Sequence, residues 1–489
     1  MQEWNFYIVT LGCKVNQYES QAVREAWQAL GGNEVENPAQ AHIALVNSCA
    51  ITANAERDTR AALYKLEREA PQAKRLLTGC AAALLQKNPP RKGLFHALIP
   101  MQQKASLLQD PRHLLELASS PCAALSPFNP ERSAPQAPPT QQISTAATAA
   151  HATAYPPFSI AGFKRARPVL KVQDGCTHRC TYCIVPTMRS HATSRPPHEV
   201  LAEARRLFMA GYREIMISGI NLLLYGRDTT PLAQARHGEP FWNLLRLLEK
   251  ELAPEWAGRA RLRISSLEPR QLNDYGIETL VQSSLLCPHL HISLQSGSPA
   301  VLRRMGRGHY KPQDLTAALG QLAQHWQHFG LGADILMGFP SETEEHVAQT
   351  LELVQSLPFS YAHVFPYSRR PGTAAASFPQ QVEKHEKAAR AARVREAIAA
   401  KQQAHWQAML ALPSMLVAVD SPDHHKAGSL FKGINAQYTP CLLHDLPPMP
   451  NPHSLLLARP LNVSPQGLVV QAFGIAEKAS TQQSPEEDA

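Results

Sequence analysis

The strongest constraint on what this chain can fold into is an alternation of short apolar strands with helical stretches, in two blocks. In the first block Phe6–Thr10, Ile43–Val46 and Arg75–Thr78 read as strands. Helical stretches follow at about Ser20–Leu30, at Ala55–Glu69 and after Thr78. Units of roughly 30 residues in this pattern predict a parallel sheet. The alternation resumes near Lys164. Strand candidates there are Pro168–Val172, Glu214–Ser218, Arg261–Ser265, His289–Leu294, Leu331–Met337 and Ala362–Phe365. Six strands with crossover helices predict an open, partial α/β barrel, short of the eight strands of a closed one. A long polar helix, Gln381 to Met409, ends this block and carries Lys384, Lys387, Arg390, Arg393, Arg395 and Lys401. Met415–Val419, Gln437–Leu443, Ser454–Ala458 and Leu468–Phe473, separated by Gly and Pro, predict a small β-barrel.

The expected architecture is therefore α/β. A three-layer parallel α/β domain spans 1–115, a partial (β/α)6 barrel 164–410 and a small β-barrel-like domain 411–480. Between the first two lies a linker, 116–163: eight prolines fall between Pro121 and Pro157 among Ala, Ser, Thr and Gln, too little apolar surface to fold. Residues 481–489 read as an acidic disordered tail. At 489 residues and 44% hydrophobic, the chain has room for about three such cores.

No apolar run reaches the ~18 residues of a membrane span, which excludes an integral helical membrane protein. The first residues lack the basic and apolar regions of a signal peptide, so a reducing cytoplasm is expected. Nine cysteines are too few for a disulfide scaffold of this size, so cysteines at special spacings imply metal or catalysis. A net charge of +8 permits an anionic partner such as nucleic acid without demanding one.

Cys176-Thr177-His178-Arg179-Cys180-Thr181-Tyr182-Cys183 is a C-x3-C-x2-C run. Nine randomly placed cysteines give this spacing with a probability of only about 0.003. Three thiolates on one loop can hold three irons of a [4Fe-4S] cluster and leave the fourth open for a substrate or cofactor. Zinc would need a fourth ligand, and His178 or His191 keeps that alternative open. The loop follows the strand Pro168–Val172, at the carboxyl end where α/β folds place their chemistry. Cys122, in the linker, reads as an ordinary thiol.

A second cysteine set is dispersed. Cys13, Cys49 and Cys80 each follow one of the three N-terminal strands and precede a helix. Parallel strands put their carboxyl ends on one sheet edge, so the three thiols are expected to converge. Helix N-termini there favour thiolates. Convergence suggests a second three-cysteine cluster; the competing reading is three small buried residues at strand ends.

The C-x3-C-x2-C run resembles the radical S-adenosylmethionine superfamily. The resemblance implies that the open iron binds the methionine part of S-adenosylmethionine, that reductive cleavage yields a 5′-deoxyadenosyl radical, and that Tyr182 lies near the adenine. The two cysteine sets together, followed by a small β-domain, resemble the methylthiotransferase family. Gly12-Cys13-Lys14-Val15-Asn16-Gln17-Tyr18-Glu19-Ser20 is similar to the branch acting on N6-threonylcarbamoyladenosine in tRNA. The isopentenyladenosine branch usually has Gln-Met-Asn after this cysteine, and the branch modifying a ribosomal-protein aspartate has Pro-Lys-Asn. Segments 218–221, 291–298, 332–340 and 363–373 also resemble the threonylcarbamoyl branch. Polar and glycine residues after the predicted strands are candidates for the S-adenosylmethionine pocket: Gly219 and Asn221, Ser266 and Glu268, Gln295 and Gly297.

The resemblance implies an enzyme with two [4Fe-4S] clusters and S-adenosylmethionine. It would convert N6-threonylcarbamoyladenosine next to the anticodon to its 2-methylthio derivative. The expected partners are tRNA and an electron donor such as a flavodoxin or ferredoxin, with no membrane, and the chain is expected to be a monomer. Lys164, Arg165, Arg167, Lys171, Arg179, Arg189 and Arg195, and then Arg303, Arg304, Arg307 and Lys311, could neutralise phosphates at the barrel mouth. The family commonly ends in a basic tRNA-gripping barrel, the TRAM domain. Here residues 413–489 hold four Lys+Arg against seven Asp+Glu. That keeps two alternatives open: methylthiolation of another tRNA adenosine or of a ribosomal-protein side chain, and a non-catalytic iron–sulfur RNA-binding or redox-sensing protein.

Overall fold

The computed structural model describes residues 3–87, 91, 93–112, 155–228, 239–420, 430–444, 446–448, 451 and 453–476. It divides into two compact units, one ending at Ser159 and the other starting at Ile160. Cys122, most of the expected linker and the expected tail lie outside the described residues.

In the first unit β1 (Trp4–Thr10), β2 (Gly32–Glu34), β3 (Ile43–Ser48), β4 (Lys74–Gly79) and β5 (Ala97–Leu98) form one parallel sheet, ordered β2-β1-β3-β4-β5. Helices α1 (Lys14–Ala29), α2 (Ala53–Glu69) and α3 (Ala82–Lys87) follow β1, β3 and β4. Every residue of the central strand β3 is buried, as an apolar run covered on both faces requires. Trp4, Phe6 and Trp27 pack with ring centroids 5.3–5.6 Å apart. The buried Trp27 indole donates to the Leu107 carbonyl at 2.7 Å. β2 and β5, two or three residues long, carry no readable period and were not predicted.

The second unit opens with β6 (Val169–Asp174), β7 (Thr193–Ser194), β8 (Glu214–Gly219), β9 (Arg261–Ile264), β10 (His289–Gln295), β11 (Gly330–Met337) and β12 (Tyr361–Pro366). All six long strands run parallel, and β7 pairs antiparallel with β6 at one end. β10 joins β9 through bridges at Leu262–Leu286 and Leu267–Ile292. The sheet is open, with β12 at its far edge. One face is apolar: Ile215, Ile217, Leu262, Ile264, Leu290, Ile292, Leu331, Ala333, Ile335 and Val364 are buried. The alternate positions, pointing the other way, hold Glu214, Arg261, Arg263, His289, His291, Asp334, Tyr361, His363 and Phe365. A long helix, Lys384–Met409, follows β12.

β13 (Met415–Val419), β14 (Phe431–Asn435), β15 (Pro440–Leu443), β16 (Leu455–Ser464) and β17 (Gly467–Ile475) close into a small barrel. Its core includes Trp406 and Met409 of the long helix with Val417, Leu443, Leu456 and Val470. The expected strand from Gln437 begins only at Pro440. Residues 435–439 form a turn in which Tyr438 adopts φ 65° and the Asn435 side chain accepts from the Thr439 N–H. β14 was not predicted. β16 runs on through Pro460, which sits beside a bulge where no ladder donor is needed.

The expected linker ends earlier than 163. Phe158 and Ile160 are buried, and the Phe158 carbonyl accepts from the Tyr18 hydroxyl at 2.8 Å. Two large apolar side chains are enough to seat this stretch against folded structure.

Candidate functional site

In the second unit, β6 delivers the chain to the Cys176–Cys183 loop. Gly175 takes φ 72°, and a Cβ there would lie 1.7 Å from the His191 carbonyl oxygen, so glycine is required. The loop is tied down on several sides. Cys176 N–H donates to Arg189 O at 3.0 Å, and Thr181 N–H donates to Met305 O at 3.0 Å. The Thr181 hydroxyl donates to Arg304 O at 2.8 Å. Two side-chain donors approach the sulfurs: Asn221 Nδ2 lies 3.7 Å from Cys176 Sγ and Arg307 Nη1 lies 3.9 Å from Cys180 Sγ. Burial raises the Cys176 and Cys180 thiols and pushes Cys183 up to about 12; neighbouring thiols add to the rise at Cys176 and Cys183, while Arg307 opposes it at Cys180. Such thiols are protonated at neutral pH and are poor nucleophiles; a bound cationic centre would ionise them. This donor set suits metal binding rather than thiol catalysis. Among the described residues no three His, Cys, Asp or Glu side chains close around the position of a single ion.

The pocket candidates fall into two groups. Gly219 ends β8, and its flat surface lies against Gln173, where a Cβ would come within 2.9 Å of that residue's Cβ. Asn221 N–H donates to Gln173 Oε1 at 2.8 Å, and its Nδ2 is 3.3 Å from His178 Nδ1. Glu268 follows β9 and meets the buried Arg307 guanidinium through both carboxylate oxygens. Burial opposes its ionisation, but the facing His309 and Arg307 outweigh that and hold Glu268 down to about 2. Gln295 ends β10 at a register shift with φ 66°, a conformation rare outside glycine. Ser266, half-buried, follows β9. Gly297 has a different setting. A Cβ there would lie 2.7 Å from Thr350 Cα, and its N–H donates to the Thr350 hydroxyl, so it packs against the helix Glu344–Ser356. Tyr182 meets Phe339 edge-on at 6.4 Å. Arg307, His309 and Gln173 were not singled out as pocket residues by sequence. Only Arg307 carried a signal, its charge, and that pointed to phosphate instead.

In the first unit the structure brings the dispersed cysteines to one edge. Cys13 caps the N-terminus of α1 without a side-chain capping bond. A Cβ on Gly12 would lie 2.6 Å from both Cβ and Sγ of Cys49. Cys49 is pushed up to about 11 by burial, with Cys80 and Cys13 adding to the effect. A buried polar network supports the three loops. Asn16 Nδ2 donates to the Leu11 and Ser48 carbonyls, each at 2.9 Å, and Lys104 Nζ donates to Asn47 Oδ1 at 2.8 Å. The Ser48 hydroxyl donates to the Thr78 carbonyl.

Several of the basic residues expected at the barrel mouth are used internally. Lys171 and Arg189 pair with Asp174, Arg195 with Glu203, Arg167 with Asp420 and Arg307 with Glu268. On the long helix, Arg390 pairs with Glu342, Glu344 and Glu386, Arg393 with Glu344, and Arg395 donates to the Val364 carbonyl. For the buried Lys171, Arg189, Arg195, Arg307 and Arg390, the carboxylate partner takes the cation away from phosphates.

Comparison with known proteins agrees with this geometry. Residues 170–354 match the Radical SAM superfamily, and residues 5–94 match Uncharacterized protein family UPF0004. The fold is similar to that of the radical S-adenosylmethionine methyltransferase TsrM from Kitasatospora setae, with a TM-score of 0.51, 16% identity and 77% of each chain covered. Fold and loop thus define a radical S-adenosylmethionine enzyme, a class that binds a [4Fe-4S] cluster and S-adenosylmethionine. The chain is 33% identical over 379 residues to threonylcarbamoyladenosine tRNA methylthiotransferase MtaB of Bacillus subtilis, covering 77% of this chain and 76% of that one. Its Thermotoga maritima namesake is 32% identical. A tRNA-2-methylthio-N(6)-dimethylallyladenosine synthase from Caldicellulosiruptor saccharolyticus is 29% identical over 403 residues, covering 81% of this chain and 79% of that one. The chain belongs to the radical S-adenosylmethionine tRNA methylthiotransferase family. No helix among the described residues is long and apolar enough to cross a membrane.

Proposed function

We propose that this protein converts N6-threonylcarbamoyladenosine, next to the anticodon of tRNA, to its 2-methylthio derivative. The observation that carries the reading is the convergence of Cys13, Cys49 and Cys80 in a chain that separately holds the Cys176–Cys183 loop. Cys176, Cys180 and Cys183 would hold the cluster that binds S-adenosylmethionine. Cys13, Cys49 and Cys80 would hold a second [4Fe-4S] cluster concerned with the sulfur. Asn221 and Arg307 are placed to donate toward the sulfurs of Cys176 and Cys180. The Glu268–Arg307 pair and the strained Gln295 supply polar groups at neighbouring strand ends. When bound, the cofactors supply radical hydrogen abstraction, which adenosine C2 requires because its C–H is too weak an acid for side-chain bases. The names of the relatives at 31–33% identity support threonylcarbamoyladenosine over dimethylallyladenosine. An electron donor of the flavodoxin or ferredoxin kind, a cytoplasmic setting and a monomeric state complete the proposal.

Anaerobic iron and sulfide analysis tests the cofactor assignment. About eight irons per chain are expected in the wild type, and about four when either cysteine trio is changed to Ala. About four in the wild type, lost only with Cys176, Cys180 and Cys183, would overturn it. Mass spectrometry of reaction products tests the substrate. A methylthio group on threonylcarbamoyladenosine is expected, and its appearance only on isopentenyladenosine or on a ribosomal protein would refute the assignment.

A further inference from the structure

The edge strand of the second unit's sheet, β12, carries an ordered set of rings that none of the assigned chemistry uses. Tyr361, His363 and Phe365 alternate along β12 and so share one face, opposite the buried Val364. Their rings run in sequence: Tyr361 to His363 at 5.6 Å and His363 to Phe365 at 6.2 Å. His291 of β10 joins them, 5.4 Å from His363 and 5.6 Å from Tyr361. Gly332, between them on β11, makes this possible, because a Cβ there would lie 2.2 Å from the Tyr361 ring. Across that gap the Tyr361 hydroxyl sits 2.9 Å from His289 Nε2 and 3.0 Å from His291 Nδ1. His291 Nε2 in turn lies 3.3 Å from Asp334 Oδ1.

His289 Nε2, the Tyr361 hydroxyl, His291 and Asp334 thus form one polar row, in which His291 Nε2–H faces the Asp334 carboxylate as a donor. Asp334 lies beside His363 in the strand register. Tyr438 closes the inner end, with its ring 5.3 Å from Tyr361 and 4.7 Å from His289. The outer end stays open: His363 is exposed and Phe365 is 46% exposed, unusual for a phenylalanine on a strand face otherwise lined by polar groups. Exposed rings on a sheet face, with a carboxylate acceptor beside them, match the way proteins hold an unstacked nucleobase.

We infer that His363 and Phe365, with Asp334 beside them, form the seat of the substrate nucleobase: the base stacks on the exposed Phe365 ring, the His363 ring, tilted by 42°, borders its edge, and a nucleoside N–H or O–H donates to Asp334. The inference rests on the tRNA reading above and adds to it where recognition occurs. It also gives the chain a contact to RNA that does not depend on arginines held in buried ion pairs, such as Arg189, Arg195 and Arg307.

The test is fluorescence anisotropy with two synthetic anticodon stem-loops, one carrying N6-threonylcarbamoyladenosine and one abasic at that position. Wild-type protein is expected to bind the base-bearing RNA roughly tenfold tighter. Phe365→Ala and His363→Ala should each cut this preference severalfold, with iron content unchanged as the control for folding. Phe365→Tyr should keep the preference, whereas Phe365→Leu, apolar but without a π-face, should lose it. An unchanged preference in Phe365→Ala, or full retention in Phe365→Leu, overturns the seat. If wild-type protein binds neither RNA and forms no methylthiolated nucleoside, the tRNA reading fails and takes the seat with it. If it forms that product while Phe365→Ala discriminates normally, only the seat is wrong.

Discussion

At Cys49 the thiol is enclosed by main chain that tolerates no added atom. Gly12, at φ 90°, approaches so closely that a methyl group there would sit 2.6 Å from the sulfur. Gly12→Ala therefore combines backbone strain with displacement of the thiol. It should cost more than about 1 kcal/mol of stability. The same substitution should strip iron from the first unit's cysteines and spare that of the Cys176–Cys183 loop, read as a fall from about eight toward about four irons per chain. The three consecutive-loop cysteines were legible in sequence because their ligation is local. Arg307 was not, because its distance to Cys180 Sγ depends on where the turn after residues 299–304 lands.

Among the elements, β8 and β9 are held together by a buried ionic group that also anchors the small barrel. Glu214 receives Arg261 Nε at 2.6 Å and Arg263 Nε at 2.8 Å. The same guanidinium groups donate to the Leu416, Ile434, Asn435 and Ala436 carbonyls of the barrel at 2.9–3.1 Å. Burial would raise the Glu214 carboxyl, but the two guanidinium groups outweigh it and hold it well below the usual carboxylate range. Glu214→Gln strands two buried cations and should cost about 3–5 kcal/mol in chemical denaturation. Because the folded value is depressed, the ionic contribution is fully present above the unfolded carboxyl value of about 4.3. It should be lost as pH falls below that value toward the folded one, so the stability gap between wild type and Glu214→Gln should narrow in acid. The long strands of both blocks were readable from apolar runs. β14 was missed because Phe431-Lys432-Gly433-Ile434-Asn435 has neither a run nor a clean alternation. Its place is set by pairing with β13 and β15.

Over the whole molecule, charge is distributed differently from its use. The chain is net +8, yet residues 413–489 carry four basic against seven acidic groups. Arg303 is exposed near the Cys176–Cys183 loop's supporting helix, and Arg459 is exposed on the small barrel. If RNA approaches the sheet rather than the small barrel, Arg303→Gln should lower the slope of log Kd against log salt by about one. Arg459→Gln should leave the slope unchanged. Equal effects from the two variants would move the RNA-binding surface toward the barrel.

What the sequence alone determined is what short-range order and periodicity encode. Strand–helix alternation defines two α/β blocks, and three cysteines within eight residues mark a local metal-binding loop. Even the convergence of Cys13, Cys49 and Cys80 was readable, because parallel strands put like ends on one edge. Only the tertiary structure decided which charges are paired internally, what each glycine packs against, and where rings line up. Gly297 packs against the helix 344–356, Arg189 pairs with Asp174, and Tyr361 reaches over Gly332 to two histidines. Residue type states what a side chain can bond to; the partner it finds depends on long-range packing, where burial makes an unmet charge or hydrogen bond too costly to leave.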